Sequence, residues 1–228
     1  MKTENLTIYG DSIMKGVVLE GQRYKIGTKI EVFADKLFSS VTNRSRFGST
    51  IEKGICQLET DLARHTLAEG VVLLEFGGND CDFDWSAIAA QPDVDREPNT
   101  TIDRFAALYR RAIALVREAG SIPVLANLPP ISSEKYLRWI CRGGLSRDNI
   151  LHWLGDENAI YRYQERYSHL IDSVAREEQT GLVDLRGAFL KNRSITSLLC
   201  DDGIHPNQNG QRLIVSAFET YFNKPCLA

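Results

Sequence analysis

The run "VVLLEF", from Val71 to Phe76, is almost unbroken in apolar character and is closed by Gly77 and Gly78. A strand with one wet face alternates apolar and polar residues, so this run fits a strand buried on both faces of a parallel sheet. Such a sheet needs helices on each side, which places the chain in the α/β class. "NLTIY" (Asn5 to Tyr9, then Gly10), "IPVLANL" near residues 122–128 and "GLVDL" at 181–185 repeat the pattern. "VTNRSRFG", over 41–48, supplies a further strand.

Helical periodicity fills the gaps. From Thr100 to Ala119, residues Ile102, Phe105, Tyr109, Ala112, Ile113 and Val116 share one face, Gly120 follows as a stop, and Thr100 with Asp103 resembles a variant capping box. A second helix is expected from about Asn158 to Glu178, with Ile160, Tyr163, Tyr167, Leu170, Ile171 and Val174 inward, and a third from Asn207 to Phe222. Val32, Phe33, Leu37 and Phe38 suggest a shorter one. Alternating strands and helices imply right-handed crossovers and one domain over residues 1–228, since neither repeat nor linker interrupts the pattern. The connection from Pro129 to Gly181 exceeds what one crossover helix needs, so part of it is expected to wall the sheet's edge.

Composition narrows the partners. A formal charge of -3 and a pI near 5.9 leave no basic surface for nucleic acid, and Lys and Arg form no runs. No stretch approaches the roughly 20 apolar residues of a membrane span, and no apolar segment precedes the first strand. The five cysteines, Cys56, Cys81, Cys141, Cys200 and Cys226, are odd in number with no C-x-x-C pair, which reads as reduced thiols in a cytoplasmic protein.

Ligands of open parallel sheets bind beyond the carboxyl ends of the strands. Four motifs fall there: "GDS" (Gly10 to Ser12), Gly48 within "RFGST", "GGND" (Gly77 to Asp80) and "DDGIHPN", with Asp202 three residues before His205. In a flavodoxin-like strand order 2-1-3-4-5 the first three turns are neighbours. Each motif alone is ordinary turn chemistry; their joint occurrence in this order is not.

In these four motifs, from "GDSI" to "DGIHP", the chain resembles the SGNH hydrolases, also called GDSL esterases and lipases. The resemblance implies a three-layer α/β/α fold and ester hydrolysis without a cofactor. It carries the family's naming residues onto Ser12, Gly48, Asn79 and His205, with Asp202 as the histidine's partner. The physical reading agrees. A serine hydroxyl needs a neighbouring base, here His205, and Asp202 is placed to accept from the far ring nitrogen and stabilise the imidazolium. The oxyanion formed on attack needs donors, assigned to the backbone N–H groups of Ser12 and Gly48 and the Asn79 side chain. Gly48 would let bare backbone approach the substrate. Asp11 holds a turn on this reading, and Ser49, Thr50 and Asp201 are bystanders.

A G-x-S-x-G elbow does not occur, which disfavours an α/β-hydrolase. A metal-dependent phosphoesterase would need several histidines and carboxylates converging on metals, but His65, His152 and His169 lie away from the motif turns. A noncatalytic binding protein would lack the nucleophile or the base, and both are present. Cys81 and Cys200 sit beside the motifs without an adjacent histidine of their own. The expected substrate is a small-molecule ester with a small acyl group, such as a carbohydrate acetate; lysophospholipase and thioesterase activity are the alternatives. Phe83, Trp85, Arg138, Trp139 and Arg142 are candidate pocket residues, the rings suiting a sugar face and the arginines an anionic group.

Overall fold

The computed structural model describes residues 3–223. Its main sheet has five parallel strands: β1 (Thr3–Gly10), β4 (Phe38–Asn43), β5 (Gly70–Glu75), β6 (Ile122–Ala126) and β7 (Gly181–Val183), in the order β4-β1-β5-β6-β7. Taken among themselves these strands run 2-1-3-4-5, while chain-wide numbering shifts because a separate antiparallel hairpin, β2 (Val17–Glu20) and β3 (Arg23–Ile26), intervenes. The sequence reading missed that hairpin. Its turn carries Gly21 at φ +63°, the left-handed geometry that two-residue hairpin loops demand.

The two faces of β5 explain its unbroken apolar run. Val72 and Leu74, with Tyr9 of β1, pack into one core with α2 (Ile51–Ala63), α4 (Ile102–Glu118) and α7 (Ala159–Glu177). Leu73, with Leu6 and Ile8, packs into a second core with α1 (Glu31–Ala34), α8 (Leu185–Leu190) and α9 (Gln208–Phe222). A third cluster joins α3 (Trp85–Ala90), α5 (Ser133–Cys141), α6 (Arg147–Leu154) and the start of α7. This cluster rises over one end of the sheet, where the long 129–181 connection was expected to form a wall.

Three local expectations change, the first being the strand expected over 41–48: β4 ends at Asn43, and residues 44–48 form the turn after it. Phe38 opens β4 rather than closing a helix, because its ring packs edge-on against Phe222 at 4.9 Å and joins the α9 core. Only four residues before it are helical, and Val32 is 59% exposed. Thr100 is no cap for α4, whose N-cap is Thr101 without a side-chain bond. The Thr100 hydroxyl instead donates to Asp80 at 2.7 Å, tying the helix entrance to the GGND turn. The four described cysteines are free thiols, and Cys226 lies outside the described residues. Among the described residues no helix is long and apolar enough to cross a membrane.

Gly54, in the middle of α2, faces the buried ring of Phe76 at the end of β5. A Cβ there would lie 2.2 Å from Cζ. Alanine in a helix interior gains roughly 1 kcal/mol over glycine, but overpacking a close-packed core costs about 1–3 kcal/mol. Gly54→Ala is therefore expected to lower the urea midpoint by a net loss of about 1 kcal/mol. An unchanged or raised midpoint would show that Phe76 yields freely.

Candidate active site

Parallel pairing sets Gly10 opposite Glu75, so the turns that follow β1 and β5 leave the sheet side by side. Ser12 sits in the first, buried, with its carbonyl accepting from Val17 N–H at 3.0 Å. Asn79 sits in the second. Its Nδ2 donates to Asp11 Oδ2 at 3.0 Å and to the Ser49 carbonyl at 3.1 Å, linking the turns after β1, β4 and β5. Asp11 also accepts from Ile13 N–H at 2.7 Å.

His205 arrives from the far end of the chain. The loop before α9 is pinned by Cys200 N–H donating to the His205 carbonyl at 2.8 Å, and Asn207 caps the helix through the N–H groups of Asn209 and Gly210. Gly203 adopts φ +77° and lies so close to α5 that a Cβ would stand 2.8 Å from the Ser132 carbonyl. Lys135 of α5 donates to the carbonyls of Thr196, Leu199 and Cys200. The imidazole is thus fixed from its own backbone outward.

His205 Nε2 lies 2.9 Å from Ser12 Oγ, and Nδ1 lies 2.7 Å from Asp202 Oδ2. The other Asp202 oxygen accepts from the N–H groups of Ile204 (3.1 Å) and His205 (3.0 Å). Burial alone would raise the Asp202 pKa, but the His205 hydrogen bond and charge, with these two N–H donors, hold it below the ordinary carboxylate range. Asp201 is exposed. Such an arrangement is suited to drawing the proton from a serine hydroxyl and holding it on an oriented ring.

Gly48 borders the same cavity, at φ +68° with open space where a Cβ would stand. The bond geometry therefore explains the glycine; crowding within the protein does not. The backbone N–H groups of Ser12 and Gly48 donate to no described group.

A cavity of about 610 Å³ opens from Ser12 and His205. Phe83, Trp85, Trp139 and Arg142 all line it; Arg138 does not. Arg138 falls on the exposed side of α5, about 100° around the helix from Trp139. Arg142 stacks on Trp139, its Cζ 3.1 Å from the ring centre. Asp82 accepts from Trp85 Nε1 at 2.8 Å and from the Tyr136 hydroxyl at 2.7 Å, leaving the inner wall largely apolar.

Sequence reasoning missed Tyr24, Phe47, Tyr136 and Tyr163, all on the cavity wall. Tyr24 of the hairpin and Phe47 flank the imidazole with ring centres at 5.0 and 5.9 Å. They are 38% and 57% exposed, so they form the mouth. The one sequence signal for Tyr24 was the glycine turn of its hairpin. Among the described residues no group of three or more His, Cys, Asp and Glu side chains is arranged to hold a metal ion.

The GDSL-like lipase/acylhydrolase family model matches residues 8–213. No curated protein sequence is significantly similar to the chain. Among solved structures, an acetylxylan esterase from Geobacillus stearothermophilus superposes with TM-score 0.67 at 18% identity, covering 99% of this chain and 98% of that one. An alpha/beta hydrolase from the metagenome of Lake Arreo has TM-score 0.67 at 20% identity (96% and 94% covered). A lipase/acylhydrolase from Enterococcus faecalis has TM-score 0.61 at 18% identity (94% and 93% covered). At these identities the likeness is one of fold.

The depressed Asp202 carboxyl has a signed consequence. A carboxyl whose folded pKa lies below its unfolded value adds stability above the unfolded pKa and loses it as pH falls through the folded one. The stability gap between wild type and Asp202→Asn is expected to be full near neutral pH and to shrink as pH drops below about 4, with exposed Asp201→Asn as the control. Denaturation curves across that range check it. A gap that widened on acidification would reverse the assignment.

Proposed function

The chain belongs to the GDSL-like lipase/acylhydrolase family, and on that premise we propose that it is a serine-dependent ester hydrolase working through an acyl-enzyme. The carrying observation is the unbroken line from Asp202 through His205 to Ser12, at 2.7 and 2.9 Å. Ser12 Oγ attacks the ester carbonyl carbon while its proton passes to His205 Nε2. The tetrahedral oxyanion takes donors from the N–H groups of Ser12 and Gly48 and from Asn79 Nδ2. On collapse the Nε2 proton goes to the departing alkoxide, and the acyl group stays on Ser12. Water then attacks the acyl carbon, giving His205 a proton that returns to Ser12 as the acid leaves. Asn79 has both amide hydrogens engaged in the free protein; the oxyanion takes over the one now given to Ser49, and Asp11 keeps the other.

Because His205 must protonate the leaving oxygen, the alcohol portion lies on its side, against Tyr24 and Phe47. Two exposed rings at a wet mouth suit a sugar face. With the sequence-based expectation of a small acyl group, this favours a carbohydrate acetate, and the fold neighbours include an acetylxylan esterase. The cavity favours a second reading, the lysophospholipase or thioesterase alternative. An acetyl group fills little of about 610 Å³ walled by Phe83, Trp85, Tyr136 and Tyr163, whereas a longer chain would bury there.

A fluorophosphonate probe is expected to label the protein once, on Ser12, with Ser12→Ala losing both label and ester hydrolysis while melting like wild type. Labelling at a cysteine or Ser49 would displace the nucleophile. A series of p-nitrophenyl esters separates the two readings. On the first, acetate has the highest kcat/KM. If kcat/KM instead climbs toward about fourfold per added methylene, the value expected for burying each CH₂, the acyl chain occupies the cavity and the second reading replaces the first.

A further inference from the structure

Glu75, the last residue of β5, takes no part in that chemistry. It is fully buried, lines the cavity, and among the described residues neither of its carboxyl oxygens has a hydrogen-bond donor. Strand register puts it opposite Gly10, so its neighbour is the equally buried Asp11. Two carboxyls side by side in a buried site do not both ionise readily.

The surroundings decide which keeps the proton. Asp11 accepts from two N–H groups, those of Ile13 and Asn79, and both favour its charged form. Glu75 has none. A proton on Glu75 turns the orphaned carboxyl into the donor of a hydrogen bond to Asp11. Burial raises the pKa of both acids; on Glu75 the Asp11 charge pushes further in that direction, opposed only by the Asp11 N–H, while on Asp11 the Ile13 N–H, the His205 charge, Glu75 and Asn79 all act against it.

The other titratable groups around the pair have partners of their own. Asp80, on the turn after β5, is held by the Thr100 hydroxyl and the Ile51 N–H, and burial lifts it to about 7. The Tyr109 hydroxyl of α4 is bonded to the backbone of Phe76. His205, before α9, faces Asp11 with its charge when protonated.

We propose that Glu75 is a positioning residue for ester hydrolysis: its buried carboxyl donates to Asp11, and so holds that carboxylate on the Asn79 amide and beside His205. The inference rests on the reading of Ser12, Asn79 and His205 as the hydrolytic site. Asp11 fixes one hydrogen of Asn79 so that the other can serve the oxyanion, and its charge favours the imidazolium formed on attack. Without the Glu75 donor, Asp11 takes up its own proton more readily and loosens its grip on Asn79.

Two variants and one spectrum test this. Glu75→Leu removes the donor and is expected to lower kcat on p-nitrophenyl acetate by roughly 10- to 100-fold, less than the loss of an oxyanion donor outright, with KM within about threefold. Activity then waits on Asp11 to lose a more firmly held proton, so the acid limb of its kcat/KM profile moves to higher pH. Glu75→Gln restores a donor of similar shape and is expected to stay within about threefold of wild type with the limb unmoved. The infrared spectrum of wild type is expected to keep a protonated-carboxyl band well above neutral pH, and Glu75→Gln to lack it.

The proposal is overturned if that band is missing, if folded Glu75→Leu matches wild type, or if Glu75→Gln is as impaired as Glu75→Leu. Should Glu75→Leu fail to fold, the band and the glutamine variant still decide. The band without any ester hydrolysis would instead mark failure of the hydrolytic reading, and hydrolysis without the band failure of this one.

Discussion

Parallel pairing of β1 with β5 runs in register from Asn5 opposite Gly70 to Gly10 opposite Glu75. The pairing matters because the strands end together. Ser12 and Asn79 then leave the sheet on adjacent turns, and one amide spans Asp11 and the Ser49 carbonyl. A slip of one residue would turn Tyr9, Val72 and Leu74 toward the wrong core. It would also separate Asp11 from Asn79. The hydrophobic pattern that stabilises the sheet is therefore the same constraint that assembles the polar groups above it.

Those polar groups divide into two electrostatic regimes. Asp202, although buried, is compensated by the His205 hydrogen bond and charge and by two backbone N–H groups, so it stays ionised. Asp11, Glu75 and Asp80 are equally buried, and burial raises the pKa of each. Negative charge thus rests on Asp202 and Asp11, which face His205, and is withdrawn from Glu75. The division follows from how far donors and the His205 charge offset burial: at Asp202 they outweigh it, and at Asp11 and Asp80 they only temper it.

The site motifs were legible because each combines turn residues with reactive ones at the end of an apolar run, as in "GDS", "GGND" and "DDGIHPN". The long helices were legible from periodicity, and α4, α7 and α9 lie within two residues of the expected bounds. What escaped was set by distant partners. Phe38 shares helical spacing with Phe33 and Leu37 in the sequence, but the ring of Phe222 draws it into a strand. Arg138 and Trp139 are adjacent in sequence, and only the docking of α5 sends one to solvent and the other to the cavity. Glu75 read as one polar letter in a strand, because its isolation from donors depends on the strand beside it. The β2–β3 hairpin left one local trace, Gly21, in a segment too short for periodicity to speak.

Ser12 and His205 stand 193 residues apart and touch at 2.9 Å. Every strand of the main sheet except β1 lies between them in the chain, so no N-terminal fragment that stops short of residue 205 contains both partners. During synthesis the nucleophile leaves the ribosome 193 residues before its base. If Ser12 and His205 act as a pair, a growing chain is chemically silent toward esters, and the onset of turnover is itself a report that the last helix has docked.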